Sequence, residues 1–165
     1  MKMERIMQKS QNNNKVIFLL GEICSGKDTY ANNNFTNGEI VVSIGDIVRK
    51  ISNKKQRISN KDLDQTIIKE CKKIYESLQN KTIVFVGIRQ EIVYLELAKD
   101  FEDKQSIILT ASSKVLKDRY ESRGDEKDKN LTYEQAHNID LQLGLFNLIH
   151  LVLREERLLT VIKTD

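Results

Sequence analysis

The sequence predicts an α/β fold, a five-stranded parallel sheet with helices on both faces. Three observations point there. Short apolar runs alternate with helical stretches along the whole chain, the order that builds a parallel sheet. The runs are apolar throughout instead of alternating with polar residues, as expected of strands covered on both faces. The first run also passes through a glycine-rich turn directly into a helix.

Taken in order, Lys15–Leu20 is the first strand and Lys27–Asn34 the first helix. Glu39–Ser43 is a second short strand, and Asp46–Ser52 a short helix before a polar loop at 53–60. Ser59 or Asn60 is placed to cap a long helix reaching about Gln79. Its apolar residues Leu63, Ile67, Cys71, Ile74 and Leu78 recur every three or four positions and make one buried face. Lys81–Val86 is the third strand, followed by a helix through Leu97. Ser106–Thr110 is the fourth strand, Ser112–Arg123 a helix, and 124–130 a charged loop. Thr132 and Gln135 have the spacing of a capping box opening another helical stretch, and Leu158–Lys163 is the last strand. No repeat or linker interrupts residues 15–165, so one domain is expected. Residues 1–14 are polar and are expected as a flexible tail, not a secretory signal. The asparagine-rich stretches at 12–14 and 32–34 carry no expected role.

In such a sheet, ligands sit beyond the C-terminal ends of the strands. The segments after the first four strands, residues 21–29, 44–49, 87–91 and 111–113, should therefore line one edge. The first reads Gly21-Glu22-Ile23-Cys24-Ser25-Gly26-Lys27-Asp28-Thr29. Gly-x-x-x-x-Gly-Lys between a strand and a helix is a phosphate loop. The glycines allow a tight wrap that aims successive N–H groups at phosphate oxygens, and the helix dipole adds to the attraction. All nine residues are candidates for holding ATP. Lys27 can bridge the β and γ phosphates, and Thr29, with Asp28 beside it, is a candidate ligand for Mg²⁺. The alternative is a turn with no ligand. The Gly-Lys-x-Thr form resembles the loops of adenylate kinases (Gly-Lys-Gly-Thr) and phage-type deoxynucleotide kinases (Gly-Lys-Asp-Thr).

Gly45-Asp46-x-x-Arg49 resembles the acceptor site of adenylate kinases, Thr-Gly-Asp-x-x-Arg. The resemblance implies that Arg49 grips an acceptor phosphate, which a guanidinium fork does with two parallel hydrogen bonds, with Asp46 beside it. Ile44 stands where that family has threonine, so one hydrogen bond is missing or moves to Ser43. Gly87-Ile88-Arg89 looks like the Asp-Gly-x-Arg segment of phosphate-loop kinases, whose strand-end Asp holds Mg²⁺ through water. Val86 stands there in this chain. Either Asp28 or Asp46 serves instead, or metal-assisted chemistry is weakened. Arg89 is a second phosphate clamp or a surface arginine paired with Glu91.

Arg119-x-x-x-Arg123-Gly, followed by Asp125 and Asp128, resembles a short kinase lid at 123–130. Residues four apart share a helix face, and such arginines close over phosphates during transfer. The alternative is a solvated helix end. Ile139-Asp140-Leu-Gln-Leu-Gly144 completes the pattern. From residue 15 to 165 the chain resembles P-loop nucleoside/nucleotide kinases, in particular adenylate-kinase-related and dephospho-coenzyme-A-kinase-like archaeal proteins. The resemblance implies a P-loop NTPase fold of the nucleotide-kinase type, Mg-ATP as donor, and catalytic roles for Lys27, Arg49, Arg89, Arg119 and Arg123. A nucleoside monophosphate is the expected acceptor.

Composition narrows the classes. A net charge of +3, with the charges interspersed, leaves no dedicated nucleic-acid surface. No apolar run is long enough to span a membrane. Cys24 and Cys71, far apart, are neither a disulfide framework nor a metal site, and a reducing cytoplasmic setting is expected. Cys24, beside the helix start and Lys27, is a tolerated loop residue or a redox-sensitive thiol; Cys71 reads as core. His137 and His150 form no metal pair in sequence. Monomer and homodimer both stay open. Two rivals to a nucleotide kinase remain. One is an ATP-binding regulatory protein with slow hydrolysis, favoured by Val86 and Ile44. The other is a dephospho-coenzyme-A-type kinase, in which Asp46 would act as base for a sugar hydroxyl. No Asn-Lys-x-Asp sequence supports a GTP switch.

Overall fold

The structure, a computed structural model, describes residues 12–55, 61–155 and 159–165. Its first half runs β1 (Lys15–Gly21), α1 (Lys27–Asn34), β2 (Ile40–Ser43), α2 (Ile44–Ser52), a 3-10 turn (Lys61–Leu63), α3 (Asp64–Ser77), β3 (Thr82–Val86) and α4 (Glu91–Asp100). The second half runs β4 (Asp103–Thr110), α5 (Ser113–Arg123), a 3-10 turn (Glu126–Asp128), α6 (Tyr133–Leu143), α7 (Leu145–Glu155) and β5 (Leu159–Lys163). The five strands form one parallel sheet in the order β2-β3-β1-β4-β5, as the apolar runs predict.

Strand periodicity divides β1 between two cores. Val16, Phe18 and Leu20 face the layer that carries Ile67, Ile68 and Cys71 of α3, Val93 and Leu97 of α4, and Leu148 and Val152 of α7. Ile17 and Leu19 face the opposite layer, where Ala31 of α1 packs. Burial pushes the Cys71 thiol up to about 12, so it is inert at neutral pH, in agreement with a core role.

Local chemistry moves several expected boundaries. α2 starts at Ile44, not Asp46, because the Ser43 hydroxyl caps it by accepting the Asp46 N–H at 3.2 Å. Residues 103–105 join β4 despite their polarity, because pairing with β1 is made by backbone groups and needs no apolar side chain. The capping box at Thr132 and Gln135 is present, but the stretch it opens breaks at Gly144 (φ 89°), which ends α6 and turns the chain into α7. The expected cap at Ser59 or Asn60 and the strand start at Leu158 lie outside the described residues.

The tail expected over residues 1–14 needs correction at its end. Asn14 is 2% exposed. Its amide donates to Tyr75 O (2.9 Å) and Leu78 O (2.7 Å), and its side-chain oxygen accepts the Lys81 N–H (2.9 Å). Asn12 also donates to Tyr75 O at 3.0 Å. These asparagines fasten the entrance of β1 to the end of α3 and the start of β3. Asn14→Ala leaves two carbonyls and an N–H without that partner. It is expected to cost about 2 kcal/mol, measured by urea unfolding.

Candidate active site

The phosphate loop joins β1 to α1, and its conformation depends on particular residues. Gly21 has φ 151°. A Cβ there would lie 2.4 Å from Leu109 O and 2.6 Å from Ser25 Oγ. Only glycine lets the loop pass this close to the end of β4. Gly21→Ala is therefore expected to destabilise the fold by about 2 kcal/mol, seen as a lower melting temperature. Cys24 (φ 59°) and Gly26 (φ 91°) complete the wrap in left-handed geometry. Gly26 is the N-cap of α1 and no side chain caps that helix, so its open end meets the cavity.

Lys27 lies folded over its own loop. Its Nζ donates to Gly21 O (2.8 Å), Glu22 O (2.6 Å) and Ser25 Oγ (3.3 Å). The ammonium is thus held at the centre of the loop, where a phosphate would replace its acceptors. A Cβ at Gly87 would lie 4.0 Å from Lys27 Cε, an ordinary contact, so the turn after β3 favours glycine for its φ of 87° and not for space. Burial raises the Glu22 carboxyl; His137 and Lys27 oppose that rise, and Asp140 adds to it.

A cavity of about 820 Å³ opens beside the loop, a size suited to small-molecule ligands. Its lining comes from three places: Gly26, Lys27, Asp28 and Thr29 of the loop and α1; Ser43, Gly45, Arg49, Val86, Gly87 and Arg89 at and after the ends of β2 and β3; and Arg119, Ser122, Arg123, Asp125 and Lys127 of α5 and the segment after it. Ile23, Cys24 and Thr164 also contribute. The segments after β1, β2 and β3 thus meet at one edge as expected. Residues 111–113 are not part of the lining, and α5 with the end of the chain takes their place. All five candidate cations, Lys27, Arg49, Arg89, Arg119 and Arg123, reach this cavity, and Lys127 adds a sixth that the sequence reading overlooked. The carboxylates in the lining are Asp28 and Asp125, so the site suits polyanions.

Each arginine is oriented differently. Arg49 pairs through Nη2 with Oδ1 of Asp46, one helical turn back; the Asp46 side chain is 74% exposed and stands at the rim. Ser43, the candidate substitute for the missing threonine, lines the cavity while its oxygen caps α2. Arg89 Nε lies 3.0 Å from Oδ1 of Asp140. Arg123 pairs through Nε with Asp125 Oδ2 (2.6 Å) and through Nη2 with Asp128 Oδ2. Burial works against the Arg123 charge, but Cys24, the Asp128 hydrogen bond and the two carboxylates outweigh it and raise its pKa.

Arg119, expected as a lid arginine, lines the cavity and also braces the loop. Its Nη1 donates to Cys24 O (3.3 Å) and Thr164 Oγ1 (3.0 Å), and its Nη2 to Thr164 O. Thr164 Oγ1 in turn donates to Ser25 O at 3.0 Å. The guanidinium thus joins the loop to the segment after β5. Thr164 was invisible to sequence reading because its partner Ser25 is 139 residues away.

Val86 does end β3 and is 3% exposed, so the strand-end carboxylate is replaced by an apolar side chain. Among the described residues no three His, Cys, Asp or Glu gather as a metal cluster. Thr29 and Asp28 are exposed on the first turn of α1 and line the cavity. Mg²⁺ keeps several waters and takes few protein ligands beside substrate phosphates, so this hydroxyl and carboxylate fit a phosphate-bound ion. His137 stacks on Tyr133 (5.7 Å between centroids) and contacts Phe146 edge-on (5.6 Å), a packing role.

No helix among the described residues is long and apolar enough to cross a membrane. No protein-family model matches the chain, and no curated protein matches it in sequence. Solved structures do match in shape. A sugar kinase from Janibacter sp. HTCC2649 superposes with a TM-score of 0.61 at 12% identity, over 91% of this chain and 85% of its own. A gluconokinase from Sinorhizobium meliloti 1021 gives 0.60 at 14%, over 90% and 82%. A shikimate kinase from Bacteroides thetaiotaomicron gives 0.55 at 14%, over 90% and 85%. With the five-stranded parallel sheet and the loop from Gly21 to Thr29, these likenesses establish that the chain has the phosphate-loop α/β fold of those proteins.

Proposed function

We propose that the protein is an ATP-dependent phosphotransferase, a kinase of the nucleotide-kinase type, whose acceptor is a small phosphorylated molecule, foremost a nucleoside monophosphate. The observation that carries this reading is that one cavity joins the phosphate loop to Arg49 and Arg89, which come from two other strand ends. The donor's phosphates lie on the loop and the open end of α1. Lys27 leaves the Gly21 and Glu22 carbonyls for the β and γ phosphates. Thr29, with Asp28 beside it, would hold Mg²⁺, which when bound would supply charge neutralisation on those phosphates. Arg49, paired with Asp46 until the acceptor takes its place, and Arg89 hold the acceptor. An oxygen of the acceptor phosphate forms the new bond to the γ-phosphorus, the β–γ bridging bond breaks, and ADP departs with that electron pair. An ionised phosphate needs no base, so the protein supplies positioning and charge stabilisation. Residues 123–130 act as a short lid that brings Arg123 over the transferring group, on a single domain of residues 15–165.

A second reading has a specific observation behind it. The structural neighbours are kinases of a sugar, of gluconate and of shikimate. Transfer to a hydroxyl, in such acceptors or in dephospho-coenzyme A, asks for a base. Asp46, the candidate, stands at the rim with its carboxylate on Arg49. The phosphorylated acceptor is therefore preferred. The third reading, a regulatory ATP-binding protein, draws on the apolar Val86.

ADP release from Mg-ATP, measured against nucleoside monophosphates, deoxynucleoside monophosphates, dephospho-coenzyme A, gluconate and shikimate, separates these readings. Turnover stimulated by a monophosphate is the expected result. Stimulation by a hydroxyl acceptor alone selects the second reading, and ATP binding with no stimulated turnover selects the third.

A further inference from the structure

Asp140 lies on α6, where Ala136, Asp140 and Leu143 share the buried face. It is 0% exposed. A carboxylate so deeply buried is costly unless it is paired and hydrogen-bonded. Its two oxygens go to two segments that both line the cavity. Oδ2 accepts the backbone N–H of Ile23, inside the phosphate loop, at 3.0 Å. Oδ1 lies 3.0 Å from Nε of Arg89, after β3, in an ion pair that is off the hydrogen-bond axis. Satisfying the Ile23 N–H requires only an oxygen, which a neutral asparagine would also supply. The negative charge is explained by the guanidinium.

We propose that Asp140 is a positioning residue for phosphoryl transfer: it ties the phosphate loop to Arg89 and thereby sets the spacing between the donor's γ-phosphate and the acceptor. This rests on the kinase reading above. In-line transfer depends steeply on that spacing. Asp140 fixes the donor side through the loop backbone and the acceptor side through the back edge of Arg89. The Ile23 N–H is turned into the protein by this bond and is not part of the phosphate cradle.

The test is a double-mutant cycle of Asp140→Asn and Arg89→Ala, assayed with Mg-ATP and the acceptor found in the panel. Asp140→Asn is expected to leave the KM for ATP within threefold, because the loop keeps its hydrogen bond. It should lower kcat at least tenfold and raise the acceptor KM. In the Arg89→Ala background the same substitution should change kcat by no more than twofold, because the group it acts through is gone. Losses that multiply, or an Asp140→Asn protein with unchanged kcat and acceptor KM, overturn the proposal. If Asp140→Asn does not fold, Asp140→Glu keeps the charge, displaces it by one methylene, and runs the same cycle. A wild-type protein that transfers to none of the acceptors sinks the kinase reading and this inference with it. A wild type that transfers while the losses multiply sinks this inference alone.

Discussion

Lys27→Ala is expected to lower acceptor-dependent turnover by about 10²–10³-fold, a loss of roughly 3–4 kcal/mol of transition-state stabilisation. The ammonium already sits in the loop, within 2.8 Å of Gly21 O and 2.6 Å of Glu22 O. It exchanges those acceptors for phosphate oxygens when the donor binds, so the cation is in place before the chemical step. Removing it has two consequences. The transferring phosphoryl group loses a preorganised cation, and the Gly21 and Glu22 carbonyl oxygens lose that donor beside an anion. Lys27→Arg restores charge without the compact head group and is expected to recover only part of the rate. The measurement is kcat with saturating Mg-ATP, alongside a thermal melt. Ala at this position is compatible with α1, since residue 27 is its first helical position. Turnover within threefold of wild type, with the fold intact, would remove Lys27 from the chemistry.

What could be read in the sequence was what is local. The α1 limits, Lys27 and Asn34, follow from the loop before and the asparagine run after, and the Thr132–Gln135 cap from a four-residue pattern. The parallel sheet followed from unbroken apolar runs such as residues 15–20 and 82–86, because each must be covered on both faces. The site wall was legible to the extent that ligands gather at strand ends, which brought Arg49 and Arg89 together with the loop. The braces were not legible. Asn14 with Leu78, Thr164 with Ser25, and Asp140 with Ile23 are joined across 64, 139 and 117 residues. No short-range periodicity encodes such pairs. Asp140 left one trace: it interrupts the apolar face that Ala136 and Leu143 otherwise define, and a charge on a buried face implies a partner elsewhere. The contacts of Arg119 were hidden for the same reason. Its spacing from Arg123 is that of a lid, and only the fold shows its guanidinium occupied by Cys24 and Thr164.

Arg49→Ala is expected to lower kcat/KM for a nucleoside monophosphate by about 100-fold, close to 2.7 kcal/mol, while the KM for ATP stays within threefold. A guanidinium meets a phosphate with two parallel charge-assisted hydrogen bonds, each worth roughly 1.5–3 kcal/mol. Part of that is offset because the acceptor must displace Asp46, which holds Nη2 in the unliganded site. Asp46 itself is exposed and stays solvated when released, so the exchange favours the phosphate dianion. Arg49 stands on α2, after β2, whereas the phosphate loop follows β1 and β3 lies between those two strands, which is why ATP binding should be spared. Gly45 lets the fork lie close to the backbone: a Cβ there would come within 3.2 Å of Arg49 Nη1. Arg49→Lys tests the fork separately from the charge, and a loss of about tenfold is expected because one ammonium cannot make both bonds. The acceptor class can be read from the same variants. A neutral sugar hydroxyl presents no dianion to grip, and Arg49→Ala would then change kcat/KM only a few-fold. A small effect with a monophosphate as the proven acceptor would move the phosphate to the other cations of the cavity, with Arg89, paired with Asp140, the first to test.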